Sequence, residues 1–336
     1  MSDLSGRSIL VTGGTGSFGR AFISTVLRKH KPRKLVVFSR DELKQHEMQS
    51  NPSFSDGADI LRFYIGDVRD ADRLEMAMRD IDVVIHAAAL KHVPIAEYNP
   101  FECIRTNVHG AENVVSAALR AGVKRVIGLS TDKAVNPVSL YGASKLAADK
   151  IFVAANNLAG ADGPRFAIVR YGNVLGSRGS VLPLFQRLVS TGVKTLPITD
   201  PRMTRFWITL EQSVEFVLSS LSRMHGGELF VPKIPSMRVA DLARAVAPDL
   251  DHEIIGIRPG EKLHEVLLTE DDSRTTRAFD DRYVIVPMYH FWSARHDVEQ
   301  LGEPVAEGFR YASDNNEQWL SSADIRKLLD VQSAQE

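Results

Sequence analysis

Tyr141-Gly142-Ala143-Ser144-Lys145 puts a tyrosine four residues ahead of a lysine, a spacing that places both side chains on one face of a helix. A phenol at its ordinary pKa of about 10 is a poor base at neutral pH, and a neighbouring cation is what such a base requires. Lys145 is therefore expected to lower the Tyr141 pKa. Just upstream, Ser130-Thr131-Asp132-Lys133 closes an apolar run with a hydroxyl, a carboxyl and an ammonium in succession. Asp132 and Lys133 taken alone fit a structural ion pair at a strand end as well as an acid–base pair.

A second constellation lies near the start of the chain. Thr12-Gly13-Gly14-Thr15-Gly16-Ser17-Phe18-Gly19 follows one apolar run directly and opens an amphipathic stretch. Glycines there let a dinucleotide pyrophosphate approach the backbone, and the helix N-terminus turns its N–H groups toward the phosphates. The spacing alone also fits plain loop punctuation, and the strand before and helix after argue for the dinucleotide. Gly13, Thr15, Gly16, Ser17, Phe18 and Gly19 are the contact candidates, and Lys145 can then reach the nicotinamide ribose.

The next apolar run ends at Phe38-Ser39-Arg40-Asp41, where the adenosine ribose should lie. An acidic residue closing that strand would hold a free 2′-hydroxyl, whereas Ser39 and Arg40 offer donors suited to a 2′-phosphate. This favours NADP over NAD. The alternative is a solvated charge run, Arg40-Asp41-Glu42, capping the following helix. Asp67-Val68 is placed to meet the adenine, and Ala87 and Ala88, after His86, are small enough to lie beside the cofactor.

Elements with a definite order must position these groups. Strand-like runs cover Ser8 to Val11, Lys34 to Phe38, Leu61 to Ile65, Val83 to Ile85, Val126 to Leu129 and Phe166 to Val169. Their near-continuous apolarity suits strands buried on both faces of a parallel sheet. Helical periodicity covers Gly19 to Lys29, Ala71 to Met78, Ala111 to Ala121 and Tyr141 to Ala159. The alternation predicts an α/β fold with a doubly wound parallel sheet. After Asn173 the glycine-rich 176–180 stretch and Pro183, Pro197, Pro201, Pro232, Pro235, Pro248 and Pro259 predict short elements in a second, smaller lobe. Glu211 to Met224 still reads as an amphipathic helix, so the lobes are expected to interleave. The expected division is 1–175 with about 203–228 for the sheet domain, and 176–202 with 229–336 for the substrate lobe. Val331 to Glu336 are polar, and fraying is expected there.

Composition excludes several classes. The 336 residues are 44% hydrophobic, and their 41 basic and 42 acidic residues give a net charge of −1. No positive field of the kind a nucleic-acid or anionic-membrane binder uses is present. The single cysteine, Cys103, cannot pair within the chain or build a Cys-rich metal site, so no metal is expected. No run approaches the roughly 18 apolar residues of a membrane span, and Met1 to Gly6 lack a signal-peptide core. A soluble cytoplasmic enzyme is expected.

Four further segments carry a resemblance. Thr131 to Pro137, Ala87 to Pro94, Met203 to Trp207 and Arg258 to His264 resemble those of the soluble, C5-inverting UDP-N-acetylglucosamine 4,6-dehydratases. These belong to the extended short-chain dehydrogenase/reductase superfamily, and the likeness spans roughly residues 7 to 280. Retaining relatives usually carry Thr-Asp-Glu where this chain has Thr131-Asp132-Lys133. Large membrane-anchored relatives usually replace the tyrosine, and this chain keeps Tyr141.

The resemblance implies a Rossmann domain, NADP, UDP-N-acetylglucosamine as substrate, a homo-oligomer, and a first step toward the flagellin sugar pseudaminic acid. It also implies roles. Tyr141 takes the proton of the 4-hydroxyl, Thr131 hydrogen-bonds the 4-oxygen, and Asp132 protonates the leaving 6-hydroxyl. Lys133 serves in C5 proton transfer as base or opposite-face donor, a role Tyr141 could share. Arg205 and Arg258 are diphosphate candidates, Glu261 a ribose candidate, and Asn173 and Lys91 candidates along the sugar or phosphate path. His92 and His264 are read as structural or substrate-lining. A UDP-sugar 4-epimerase, a retaining dehydratase and an NADP-sensing regulator are the alternatives.

Overall fold

The computed structural model describes residues 4–177, 179–288 and 302–333. Arg178 of the glycine-rich stretch and residues 334–336 of the polar tail lie outside this set. Six strands alternate with helices as expected: β1 (Ser8–Thr12), β2 (Lys34–Ser39), β3 (Leu61–Ile65), β4 (Val83–His86), β5 (Arg125–Thr131) and β6 (Arg165–Tyr171). They run parallel in the order β3-β2-β1-β4-β5-β6. That order is the doubly wound one, with its reversal point between β1 and β4. Every residue of β1 and β4 is buried, because helices cover both faces of the sheet.

The helices follow the apolar periodicity. They are α1 (Ser17–Lys29), α2 (Glu42–Gln49), α3 (Ala71–Ala77), α4 (Val93–Tyr98), α5 (Pro100–Ile104), α6 (Gly110–Ala121) and α7 (Leu140–Ala159). Asp41 caps α2, accepting a hydrogen bond from the Lys44 N–H, and Ser139 caps α7 through the Gly142 N–H. Between α5 and α6, Arg105–His109 form a single wide π-helical turn.

The second half contains β7 (Asn173–Val174), α8 (Val181–Ser190), β8 (Thr195–Ile198), β9 (Thr204–Ile208), α9 (Leu210–Arg223), β10 (Leu229–Pro232), β11 (Ser236–Arg238), α10 (Val239–Val246), β12 (Asp251–Ile254) and β13 (Val266–Leu268). It closes with β14 (Thr276–Ala278), β15 (Arg282–Ile285), β16 (Glu303–Pro304), β17 (Tyr311–Ala312) and α11 (Ser322–Ser333). The glycine- and proline-rich sequence does produce short elements, but not all of them leave the sheet. β10 pairs parallel to β6, and β15, β14 and β16 add antiparallel beyond it. Part of the 229–336 range expected in the substrate lobe thus extends the large sheet. The reason is local: Leu229, Phe230 and Val231 are fully apolar and continue the core of β6.

A separate apolar cluster contains Leu182, Phe185, Leu196, Trp207, Met237, Leu242 and Ile325. β9 is the seam between the two cores. Alternate residues of a strand face opposite sides, so Phe206 and Ile208 join the main core while Trp207 joins the smaller one. The tail, which carried no motif, contributes α11, which packs on α10 through that smaller core.

Candidate active site

The carboxyl ends of β1, β2, β4, β5 and β6 open on a cleft of about 690 Å³. A ligand crevice at the reversal point of a doubly wound sheet follows from the topology. Gly13, Thr15, Gly16, Ser17, Phe18 and Gly19 line one end, with Ser39, Arg40, Asp67, Val68, Ala87 and Ala88 around them, and Lys91 lies toward Lys133. Thr131, Lys133, Tyr141, Lys145 and Asn173 line the other.

The glycine turn fits a dinucleotide on steric grounds. Gly13 has φ +66°, and a Cβ there would lie 2.9 Å from the Ala88 nitrogen. A Cβ on Gly19 would lie 2.6 Å from the Gly14 Cα. Backbone thus approaches backbone where a pyrophosphate needs room. Gly16, the N-cap of α1, has no side chain to engage the first-turn N–H groups. Thr15 Oγ1 donates to Ser39 Oγ at 3.1 Å, joining the turn to the end of β2.

At the ribose end, Arg40 and Lys44 both line the cleft. Lys44 was not singled out from sequence, because its role depends on α2 turning it back. Asp41 follows two residues after the end of β2, and its carboxylate is engaged by the Lys44 N–H and ammonium. Arg40 lines the cleft, and Asp41 caps α2 as the alternative reading of this charge run expected. Asp67 pairs with Arg40 at 3.5 Å and with Arg69 at 2.6 Å. Partial burial raises its pKa, and the Arg69 hydrogen bonds outweigh this and hold it below the ordinary value.

The catalytic segment is a connected set. Asp132 is 0% exposed. Its Oδ1 accepts from Thr131 Oγ1 at 2.9 Å and from Lys133 Nζ at 3.0 Å, while its buried Oδ2 has no hydrogen-bond partner. Burial raises its pKa, the Lys133 charge opposes this, and the net direction is upward. Lys133 also donates to Asn173 Oδ1 at 3.3 Å, and the carboxylates of Asp132 and Glu265 outweigh its desolvation and raise its pKa. The ion pair expected of Asp132 and Lys133 is present.

Tyr141 and Lys145 share the buried face of α7, as their spacing predicts. Burial pushes the Tyr141 pKa up to about 12, and among the groups that oppose this are the Lys133 charge and a hydrogen bond with Thr131. The Lys145 ammonium donates to the Leu129 carbonyl at 2.7 Å. Burial lowers the Lys145 pKa.

Three substrate candidates sit away from the cleft lining. Arg205 is 7% exposed, and its guanidinium donates to the carbonyls of Thr204, Leu263 and Lys262. It staples β9 to the loop before β13 and is not presented to a phosphate. Arg258 and Glu261 pair with each other on an exposed turn, with Arg258 Nε 3.0 Å from Glu261 Oε1. That turn rests on Val93 and Ser139, beside the start of α7. His264 bonds Thr204 Oγ1 through Nδ1 at 2.8 Å, a structural role, and His92 lines the cleft.

Sequence reasoning missed three buried positioning groups. Asn107 donates to the Leu90 carbonyl and to Ser144 Oγ, both at 2.9 Å, tying the loop after β4 to α7. Glu265 lies 3.7 Å from Lys133 Nζ and 3.2 Å from Lys262 Nζ. Asp149 accepts from Ser130 Oγ at 2.7 Å and from Arg170 at 3.3 Å, fixing α7 against β5 and β6.

A glycine-rich turn at the reversal point of a doubly wound sheet, with a tyrosine and lysine on one face of the helix after β5, defines a dinucleotide-binding enzyme of the short-chain dehydrogenase/reductase type. Within that class the chain belongs to the polysaccharide biosynthesis protein family, which matches residues 9–287. It is 57% identical to a UDP-N-acetylglucosamine 4,6-dehydratase (inverting) of Campylobacter jejuni subsp. jejuni serotype O:2, over 96% of this chain and 97% of that protein. It is 42% identical to a UDP-glucose 4-epimerase of Rickettsia conorii, over 96% of this chain and 95% of that protein. The crystal structure of Pen from Bacillus thuringiensis superposes with a TM-score of 0.88 at 36% identity, covering 98% of this chain and all of that one (100%).

Proposed function

We propose that this protein catalyses the C5-inverting 4,6-dehydration of UDP-N-acetylglucosamine, using a bound NADP that is regenerated in each turnover. The observation that carries the reading is Asp132: a fully buried carboxyl with a raised pKa, held between two cleft-lining residues, Thr131 and Lys133. An epimerase that only oxidises and reduces C4 has no use for such an acid. Loss of water from C6 requires one.

Gly13, Thr15, Gly16, Ser17, Phe18 and Gly19 would hold the pyrophosphate, and Ser39, Arg40 and Lys44 the 2′-phosphate. NADP is favoured because Ser39, Arg40 and Lys44 line the cleft at the end of β2, where the Asp41 carboxylate already has its partners in α2. When bound, the nicotinamide accepts hydride from C4 and returns it to C6, so no external oxidant is consumed. Tyr141 takes the 4-hydroxyl proton with Thr131 bonding the 4-oxygen, and the Lys133 charge lowers the phenol's pKa against its burial. The resulting 4-ketone acidifies C5–H. Lys133 and Tyr141 are the candidates for C5 proton transfer: Tyr141, once it has passed the 4-hydroxyl proton on, suits removal, and Lys133, held as an ammonium by Asp132 and Glu265, suits delivery. Asp132 gives its own proton to the departing 6-hydroxyl, and water leaves. A proton delivered to C5 from the opposite face inverts the centre.

Lys91 and Asn173 line the sugar end, and the exposed Arg258–Glu261 turn is the candidate for the uridine diphosphate. The product of this reading is the 4-keto-6-deoxy sugar from which pseudaminic acid is built. A cytoplasmic homo-oligomer belongs to the same reading, and among the described residues no helix is long and apolar enough to cross a membrane.

Incubation with UDP-N-acetylglucosamine in deuterated water, followed by NMR, tests the proposal. Loss of the 6-hydroxyl with deuterium at an inverted C5 is expected. A 4-epimer with its 6-hydroxyl intact would overturn the reading in favour of an epimerase, and deuterium at C5 with retained configuration would overturn the inversion.

A further inference from the structure

We propose that Glu265 is a positioning residue for water elimination: its carboxylate holds the Lys133 ammonium away from full neutralisation of Asp132, so that Asp132 keeps the proton it must donate. The assignment rests on the dehydratase reading above.

Glu265 is 2% exposed and immediately precedes β13. Its backbone is fixed on both sides by Ser313: its N–H donates to Ser313 Oγ at 2.9 Å, and its carbonyl accepts from the Ser313 N–H at 2.8 Å. Three cations meet the carboxylate: Lys262 at 3.2 Å, Lys133 at 3.7 Å and Arg205 at 3.8 Å. Two of them are anchored elsewhere. Lys262 donates to the Val135 carbonyl at 2.7 Å, and Arg205 is bound to three backbone carbonyls. Lys133 is the member of the trio that lines the cleft, and it alone of the three contacts the Asp132 carboxylate. Any influence of Glu265 on the chemistry therefore passes through Lys133 and through its own charge.

The physical requirement is clear. A carboxyl 3.0 Å from an ammonium ionises readily, which is the wrong state for an acid. A second carboxylate that shares the same ammonium weakens that pull and adds like-charge repulsion. Glu265 itself stays ionised, since the charges of Lys133, Arg205 and Lys262 outweigh its burial, while its charge helps raise Asp132. The titratable groups facing the set are Lys133 and Asp132 after β5, Lys91 after β4, Arg205 on β9, Lys262 before β13 and the Tyr141 phenol on α7. They titrate as one set, so a pH profile reports the cluster.

The test uses the cofactor-loaded enzyme with Glu265→Gln and Glu265→Asp, after dehydration by the wild type has been confirmed. Absence of that activity would sink the dehydratase reading itself. In E265Q the alkaline limb of kcat moves down by about one pH unit, giving about a tenfold loss above it, while KM for UDP-N-acetylglucosamine stays within about twofold. On rapid mixing, C4 oxidation runs ahead of water loss, so the absorbance of reduced nicotinamide builds up where the wild type shows little. E265D keeps the charge but draws it back, and its limb moves part of the way. A lowered kcat with an unmoved limb and no build-up would assign Glu265 a structural role and overturn the proposal. Should E265Q fail to fold, an unmoved limb in E265D overturns it equally.

Discussion

Lys133 Nζ lies 3.0 Å from Asp132 Oδ1, whereas Lys145 Nζ is bound to the Leu129 carbonyl at 2.7 Å. The cation bonded to the Asp132 carboxyl is therefore the one that follows β5, while the one on α7 is held by a backbone carbonyl.

Lys133→Met tests that relationship. The substitution removes the charge that lowers both Tyr141 and Asp132, and with it the candidate for C5 proton transfer. A loss of about 10²- to 10⁴-fold in kcat is expected, the usual contribution of a positioned proton-transfer group. Deuterium exchange at C5, read by NMR, should vanish with it. Exchange at the wild-type rate would remove Lys133 from that step.

Arg40→Ala should weaken NADP binding by about tenfold or more while leaving NAD within about twofold, as expected for a lost charge-assisted contact worth roughly 1.5 to 3 kcal/mol. Arg40 is half-exposed, and its ion pair with Asp67 is long, at 3.5 Å, so the residue carries little of the fold. Titration of each dinucleotide by calorimetry decides the matter. Equal weakening of both would show that Arg40 supports the adenine end without reading the 2′-position.

What could be read along the chain, and what could not, divides by contact range. The six strands of the sheet core and the Tyr141–Lys145 face were legible because their signals are contiguous: runs of buried β-branched residues and one helical repeat. Glu265, Arg205 and Asn107 were not, because each acts through groups from distant parts of the chain. Arg205 looked like a phosphate ligand for the reason any arginine does, its fork of donors. Only the fold shows that backbone carbonyls already fill that fork. The strands β10, β14, β15 and β16 were hidden among prolines, each being two to four residues long.

Arg205→Ala should therefore act on stability. It strips a buried carboxylate, Glu265, of one partner and takes from the Lys262 carbonyl its Arg205 donor. Breaking a buried pair costs about 3 to 5 kcal/mol, readable as a lower urea midpoint. Arg258→Ala, on the exposed turn, should leave the midpoint within about 0.5 kcal/mol and raise KM instead. The reverse pattern would return Arg205 to the substrate.

His86 should set part of the acid sensitivity of the fold. It ends β4 fully buried, with Nδ1 2.8 Å from Thr12 Oγ1 and its ring 5.6 Å from that of Phe152. Burial, and secondarily the Lys145 charge, push its pKa down from 6.5 to about 3. Below pH 6.5 the unfolded chain takes up a proton that the native state refuses until about pH 3. Stability is thus present above 6.5 and lost as pH falls through that window, at up to about 1.4 kcal/mol per pH unit from this one group. His86→Gln cannot take up the proton. Between about pH 6.5 and about pH 5 the wild type should lose roughly 2 kcal/mol more than the variant in urea unfolding. Parallel decline of the two would mean that other groups carry the acid response and that His86 is protonated in the native state.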